Sequence, residues 1–209
     1  MKKPMTFLLG IILLVGCTKH EVDSVKIGTQ TWTTKNLDVA TYNDGTVIPE
    51  VTDQIQWSGL TTGAWCHNNN DPANDVIYGK LYNWFAVNDP RGIAPQGFHI
   101  PSDEEWATLI DYLGGLESGG GKMKEIGTAH WKIPNTGATN TSGFTALSGG
   151  YRTSLGRFTE PGTSGFWWST SENDETGYSW SFALGYFDSG SAISNYDKAY
   201  GFSIRCVKN

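Results

Sequence analysis

The stretch GFHIPSDEEW, residues 97 to 106, sets His99 four positions ahead of a run of three carboxylates, Asp103, Glu104 and Glu105. Two readings compete: a catalytic or metal-binding cluster, and the start of a helix. The helix accounts for more of the residues. Phe98 to Ile100 is a short apolar strand, and Pro101 ends it because proline cannot donate to a ladder. Ser102 with Glu105 three positions later matches a capping box. The serine hydroxyl accepts from the Glu105 amide, and the Glu105 carboxylate reaches back to the Ser102 amide. Asp103 and Glu104 fall in the first turn, where a carboxylate gains about 0.3–1 kcal/mol from the helix dipole. Trp106, Leu109, Ile110 and Leu113 then form one apolar stripe, and Gly114-Gly115 closes the helix. His99 has no nearby His or Cys to complete a metal set.

On either side the chain is rich in turns. Val25 to Asn36 has the β-branched, partly alternating character of strands, with Gly28 as a turn, and Asn43-Asp44-Gly45 marks another. Trp57 to Asp75 reads as a long surface loop. Lys80 to Val87 places Leu81, Trp84 and Phe85 at helical spacing, so a first helix is predicted there, stopped by Asp89-Pro90. Residues 119 to 148 are dominated by loops. The last third reads as short strands between Gly, Asn, Asp and Ser turns, which an antiparallel sheet would close. The expected fold is α+β, with two helices packed on short antiparallel sheets and long irregular loops.

Composition agrees with one such domain over residues 24 to 209. Charged residues are 17%, below the usual ~25%, while 26 glycines and nine each of Trp, Tyr and Phe argue for a compact chain and against disorder. The formal net charge is -6 with no basic run, so a nucleic-acid partner lacks its electrostatic footprint.

Residues 1 to 16 read as a signal peptide: Lys2 and Lys3, then an apolar run from Met5 to Val15 too short to span a bilayer. The leader ends Leu14-Val15-Gly16-Cys17, which looks like a bacterial lipobox. Cys17 would carry the lipid and residues 17 to 23 a polar tether, several acyl chains on one cysteine meeting the requirement for stable anchoring. The expected location is the cell envelope, lipid-anchored at the outer membrane or cell surface. Cys66 and Cys206 remain, and in an oxidising compartment they read as one disulfide, with two buried free thiols as the alternative.

The order of elements resembles C-type lectin-like domains. The blocks IGTQTWTTKNL (27 to 37), YGKLYNWFAV (78 to 87), GFHIPSDEEW (97 to 106), GGYR (149 to 152), FWWSTS (166 to 171) and GFSIRCVK (201 to 208) resemble, in order, the Fibrobacter succinogenes major paralogous domain. The resemblance implies secreted or surface-attached bacterial proteins, often lipoproteins, with a C-type lectin-like fold and no defined activity. Fold alone does not give function. Calcium-dependent sugar binding in similar lectins uses Glu-Pro-Asn and Trp-Asn-Asp motifs. Here the nearest matches are Glu160-Pro161-Gly162 and Trp180-Ser181-Phe182, which lack the needed oxygens. The similar formylglycine-generating enzymes use paired cysteines and copper, and Cys66 and Cys206 are better assigned to a bridge.

Two candidate sites follow. Asn70, Asp71 and Asp75, in HNNNDPAND, offer hard oxygens for calcium, without the spacing of an EF-hand loop; no other cofactor is expected. Tyr178, Trp180, Tyr186, Asp188, Asn195 and Tyr196 combine rigid rings with adaptable polar groups, as binding loops do. Catalysis needs a converging acid, base, nucleophile or metal set, and none is apparent. The expected function is a non-catalytic surface domain binding a glycan or protein. An enzyme on the same scaffold and a structural envelope component are the alternatives.

Overall fold

The computed structural model describes residues 22–174 and 176–209; the leader and Cys17 lie outside them. Along the chain run β1 (Ser24–Ile27), β2 (Gln30–Thr33), α1 (Gln54–Ser58), β3 (Trp65–His67), α2 (Asp75–Tyr78), β4 (Lys80–Tyr82), α3 (Trp84–Val87) and β5 (Phe98–His99). There follow α4 (Asp103–Tyr112), β6 (Tyr151–Arg152), β7 (Phe158–Thr159), β8 (Ser164–Glu172), β9 (Tyr178–Gly185), β10 (Ala192–Asp197) and β11 (Val207–Lys208). The fold is α+β, mostly small antiparallel sheets with few helices.

The capping box forms as the sequence predicts. Glu105 N donates to Ser102 Oγ at 3.2 Å, and Ser102 N donates to Glu105 Oε2 at 2.9 Å. The stripe of α4 is buried: Trp106 stacks on Phe182 at 4.5 Å, among Trp32, Phe144 and Trp167. Full burial of such side chains contributes about 1.5–3 kcal/mol each, an upper figure given a compact unfolded state. In the sheet ordered β1-β2-β11-β5, the first strands lie beside the last. The β1–β2 turn at Gly28 has φ 61°, and a Cβ there would come within 2.9 Å of the Tyr112 ring, so glycine is required. The second large sheet is the meander β10-β9-β8.

Three sequence expectations need correction. The helix predicted over Lys80 to Val87 is a strand followed by one helical turn. Lys80, Leu81 and Tyr82 are all buried and pair with His67, Cys66 and Trp65. Asn83 then caps α3, its side chain accepting from Ala86 N, so the helix starts where the prediction had its middle. The same pairing corrects the surface loop at Trp57 to Asp75, since Trp57, Trp65 and Cys66 are core residues. The expected disulfide is also not formed. Cys66 and Cys206 are free, buried in separate clusters, and burial pushes each thiol up to about 12.

With so much irregular backbone, many carbonyl oxygens have no ladder partner. Buried cations and indoles supply the donors. Arg152 donates to the carbonyls of Val51, Thr52, Asp53 and Gly156 while lying 4.3 Å over the Trp57 ring. Arg205 binds the carbonyls of Thr33, Phe144 and Thr145 and the Asn36 side chain. Indole N–H groups of Trp57, Trp65, Trp84, Trp131 and Trp168 donate to the carbonyls of Ala199, Ile48, Ser169, Ala146 and Tyr82. The arginines of GGYR and SIRC thus hold loops in place.

Candidate functional site

Strand alternation gives the β10-β9-β8 sheet two faces. Trp167, Phe182, Leu184 and Ile193 occupy one and pack with α4. The other presents Ser164 and Phe166 of β8, Ala183 and Gly185 of β9, and Ala192, Ser194 and Tyr196 of β10. Because the middle of this face is built from small side chains, it forms a groove of about 560 Å³. That volume lies within the range of ligand sites, about 300–1,000 Å³.

Register defines the ends of the groove. Tyr196 lies opposite Ser179, and its ring meets Phe166 edge-on at 5.7 Å. At the other end, beyond Gly185, stand Phe187, 65% exposed, and Asp188, with Leu116 alongside. Burial first, then the charges of Glu160 and Tyr200, raise the Tyr196 pKa, so its hydroxyl stays neutral and able to donate. Asp188 Oδ1 accepts from Gly190 N at 2.8 Å, and Ser191 N donates to Leu116 O at 2.8 Å, which ties the rim together.

Lys124 fixes that rim from beneath. Its buried ammonium donates to the carbonyls of Thr136, Gly185 and Asp188 at 2.8, 2.9 and 2.7 Å. Burial lowers its pKa to about 8, against a smaller raising effect from the Asp188 charge. Two groove residues are therefore positioned through their main chain by one cation.

The groove contains two of the six aromatic and polar residues named from sequence, Asp188 and Tyr196. Trp180 pairs with Asn195 and Tyr178 with Asp197, on the opposite face of the sheet. Tyr186 packs against the α4 cluster. Sequence reasoning left out Phe166, Phe187 and the serines Ser164 and Ser194. A strict period of two counted back from Tyr196 would have reached Ser194 and Ala192.

Each calcium candidate has a partner within the protein, although Asp75 Oδ1 is buried without one. Asn70 Nδ2 donates to Thr52 O at 2.9 Å, and Asp71 Oδ1 accepts from Ala73 N at 2.9 Å. Asp75 Oδ2 lies 2.8 Å from both His67 Nδ1 and Lys80 Nζ, and Lys80 also pairs with Asp38. Among the described residues, no three His, Cys, Asp or Glu side chains are grouped to hold a metal. The opening cluster has a second contact beyond the cap: Glu105 Oε1 meets His99 Nε2 at 2.8 Å, and His99 Nδ1 meets Asn209 Oδ1 at 2.7 Å. One carboxylate both caps α4 and ties it to the C-terminus.

A family model described as the Fibrobacter succinogenes major domain matches residues 25–208. No curated protein and no solved structure matches the chain.

Proposed function

The chain belongs to the Fibrobacter succinogenes major domain family, and from that premise we propose that it is a non-catalytic, lipid-anchored surface domain that binds a glycan in the groove of its β10-β9-β8 sheet. The groove itself carries this reading: aromatic rings at both ends, a floor of small residues, and Ser164, Ser194 and Asp188 placed to meet hydroxyls. A flat floor between rings suits a sugar ring better than a bulky apolar side chain. The finer architectural reading, a C-type lectin-like domain, is supported by the terminal strands meeting in one sheet, the capped α4 and the meander before the C-terminus. Lipid anchoring is supported by the leader and Cys17.

The calcium candidates Asn70, Asp71 and Asp75 do not line this groove, so the reading asks for binding without calcium. The thiols also argue against cysteine oxidation chemistry, which needs an accessible thiolate, whereas burial holds Cys66 and Cys206 protonated.

The test is binding of the purified protein to an array of glycans and cell-wall fragments, with and without calcium, alongside Phe187→Ala. The expected result is a calcium-independent glycan signal that Phe187→Ala weakens. Loss of nothing in the variant, or signal only from protein ligands, refutes the assignment. Cys17→Ser tests the anchor: a variant that stays in the membrane fraction without the lipid mass would sink it.

A further inference from the structure

The segment from Asp75 to Lys80 is folded inside out. Its charges lie inward: the Asp75 and Lys80 side chains are 11% and 10% exposed and meet at 2.8 Å. Its aliphatic groups lie outward. Val76, at 89%, is more exposed than any other large apolar side chain of the described residues, and Ile77 beside it is 44% exposed. A single exposed aliphatic needs no explanation, but an adjacent pair standing over buried charges reverses the usual order of a surface helix. A third, Ile126, is 66% exposed and follows Glu125, which lines one cavity with Val76 and Ile77.

The pair sits on a fixed platform. Asn36 Nδ2 donates to Tyr78 O at 2.7 Å, at the end of α2. Before α2, Asn74 Nδ2 donates to Asn68 O at 3.0 Å, and Asn68 Nδ2 to Gly149 O at 2.7 Å. The carboxylates around it each have a basic partner: Asp75 with Lys80, Asp23 with Lys35, and Glu125 with His130, all at 2.8 Å. This face therefore presents aliphatic groups and paired charges.

The start of the described chain lies on the same side. Thr34 N donates to Asp23 O at 3.0 Å, and Lys35 pairs with Asp23. Thr34, Lys35 and Asn36 in turn line the cavity that Val76 and Ile77 border. Val22 comes five residues after Cys17. At no more than about 3.6 Å per residue, that span reaches about 18 Å. A domain running from residue 22 to 209 has a radius of gyration of about 16 Å, and so is roughly 40 Å across. A lipid on Cys17 thus holds the side around Val22 to the bilayer and keeps the far side away.

We infer that the face around α2 is a membrane-docking surface, with Val76 and Ile77 set into the boundary between lipid headgroups and acyl chains. The docking rests on the lipid anchor at Cys17 proposed above. Two or three aliphatic side chains bind a bilayer weakly when free in solution, but the tether supplies a high effective concentration, so weak contact suffices to orient the domain. The glycan groove shares no lining residue with the cavity beside α2 and stays open to solvent.

The test uses the full chain, purified with its lipid and carrying either Val76→Cys or Phe187→Cys. Cys66 and Cys206 are buried, and a thioether occupies Cys17, so an environment-sensitive fluorophore labels the new position alone. The proteins are placed in phosphatidylcholine vesicles with and without spin-labelled lipid, and mass spectrometry reads the lipid on Cys17 in the same samples. The expected result is that the label at position 76 shifts to the blue and loses about half or more of its emission to the spin label. The label at position 187 stays as in water. A lipidated protein whose label at 76 behaves as in water, or no differently from that at 187, overturns the docking and leaves the anchor standing. An unmodified Cys17 overturns the anchor, and the docking with it.

Discussion

Replacing Lys124 with Met tests the rim of the groove and the energetics of a buried charge together. Met keeps an apolar stem near Trp131, over which the ammonium lies at 5.5 Å, and removes the donors to Thr136, Gly185 and Asp188. Two effects oppose each other. A buried acceptor left without its partner costs about 1–3 kcal/mol, so three carbonyls give a loss of about 3–9 kcal/mol. Against that, the charge is no longer buried. The Lys124 pKa falls from 10.5 to about 8, and at about 1.4 kcal/mol per pH unit this interval corresponds to about 3 kcal/mol. The two cancel at the low end of the range, and near its middle the variant is less stable at pH 7 by about 3 kcal/mol.

The sign of the pH dependence follows from the lowered folded value. Below pH 8 both states carry the charge and the penalty is constant. Between pH 8 and 10.5 the unfolded chain holds a proton that the folded one has released, so folding stability rises with pH. The wild type gains about 3 kcal/mol across that window from this residue, and the variant does not. Urea denaturation followed by tryptophan fluorescence, run on both proteins from pH 7 to pH 10.5, measures the difference, in which other titrating groups cancel. A gap that stays constant across the window refutes the assignment of the charge. A variant more stable than wild type at pH 7 refutes the role of the three bonds.

The buried thiols act in the reverse direction. Their folded values of about 12 against an ordinary 9.0 mean that stability is present below pH 9 and lost between pH 9 and 12, and Cys206→Ala flattens that loss in alkaline urea titrations. Alkylation with mass readout labels Cys66 and Cys206 only after unfolding; a bridge would block labelling until reduction. Ser102→Ala costs about 1 kcal/mol in denaturant midpoint, and Glu105→Ala costs more because it also releases His99. Equal losses would show the His99 contact to be idle. Tyr196→Ala lowers the melting temperature, since its ring packs on Phe166, Tyr200 and Phe202, while the exposed Phe187→Ala does not. Unchanged melting in both would move Tyr196 out of the core.

Local chemistry was the legible part of this chain. The cap at Ser102 and the stripe of α4 depend on residues within a few turns, and both formed as read. The 80 to 87 segment misled because Leu81, Trp84 and Phe85 satisfy a helical period by chance, while long-range pairing with β3 decides that Lys80 to Tyr82 are extended. Asn83 was the available signal, a good cap in the middle of the supposed helix. The cysteines shared a compartment argument but nothing that placed them near each other. The groove was half visible: aromatic density pointed to the last third, yet the face to which each ring belongs depends on register across three strands. Lys124, Arg152 and Arg205 gave no sign of burial, because their partners are main-chain oxygens, which leave no mark in composition.

That same arrangement has a consequence for how the domain can diversify. Where a charged head or an indole grips the peptide unit, the gripped position is indifferent to what projects from its α-carbon. Thr52 and Thr136, both with exposed side chains, are held in this way. Substitutions there can repaint the outer surface while the framework keeps its shape, so copies of this domain with unlike recognition surfaces can share one interior.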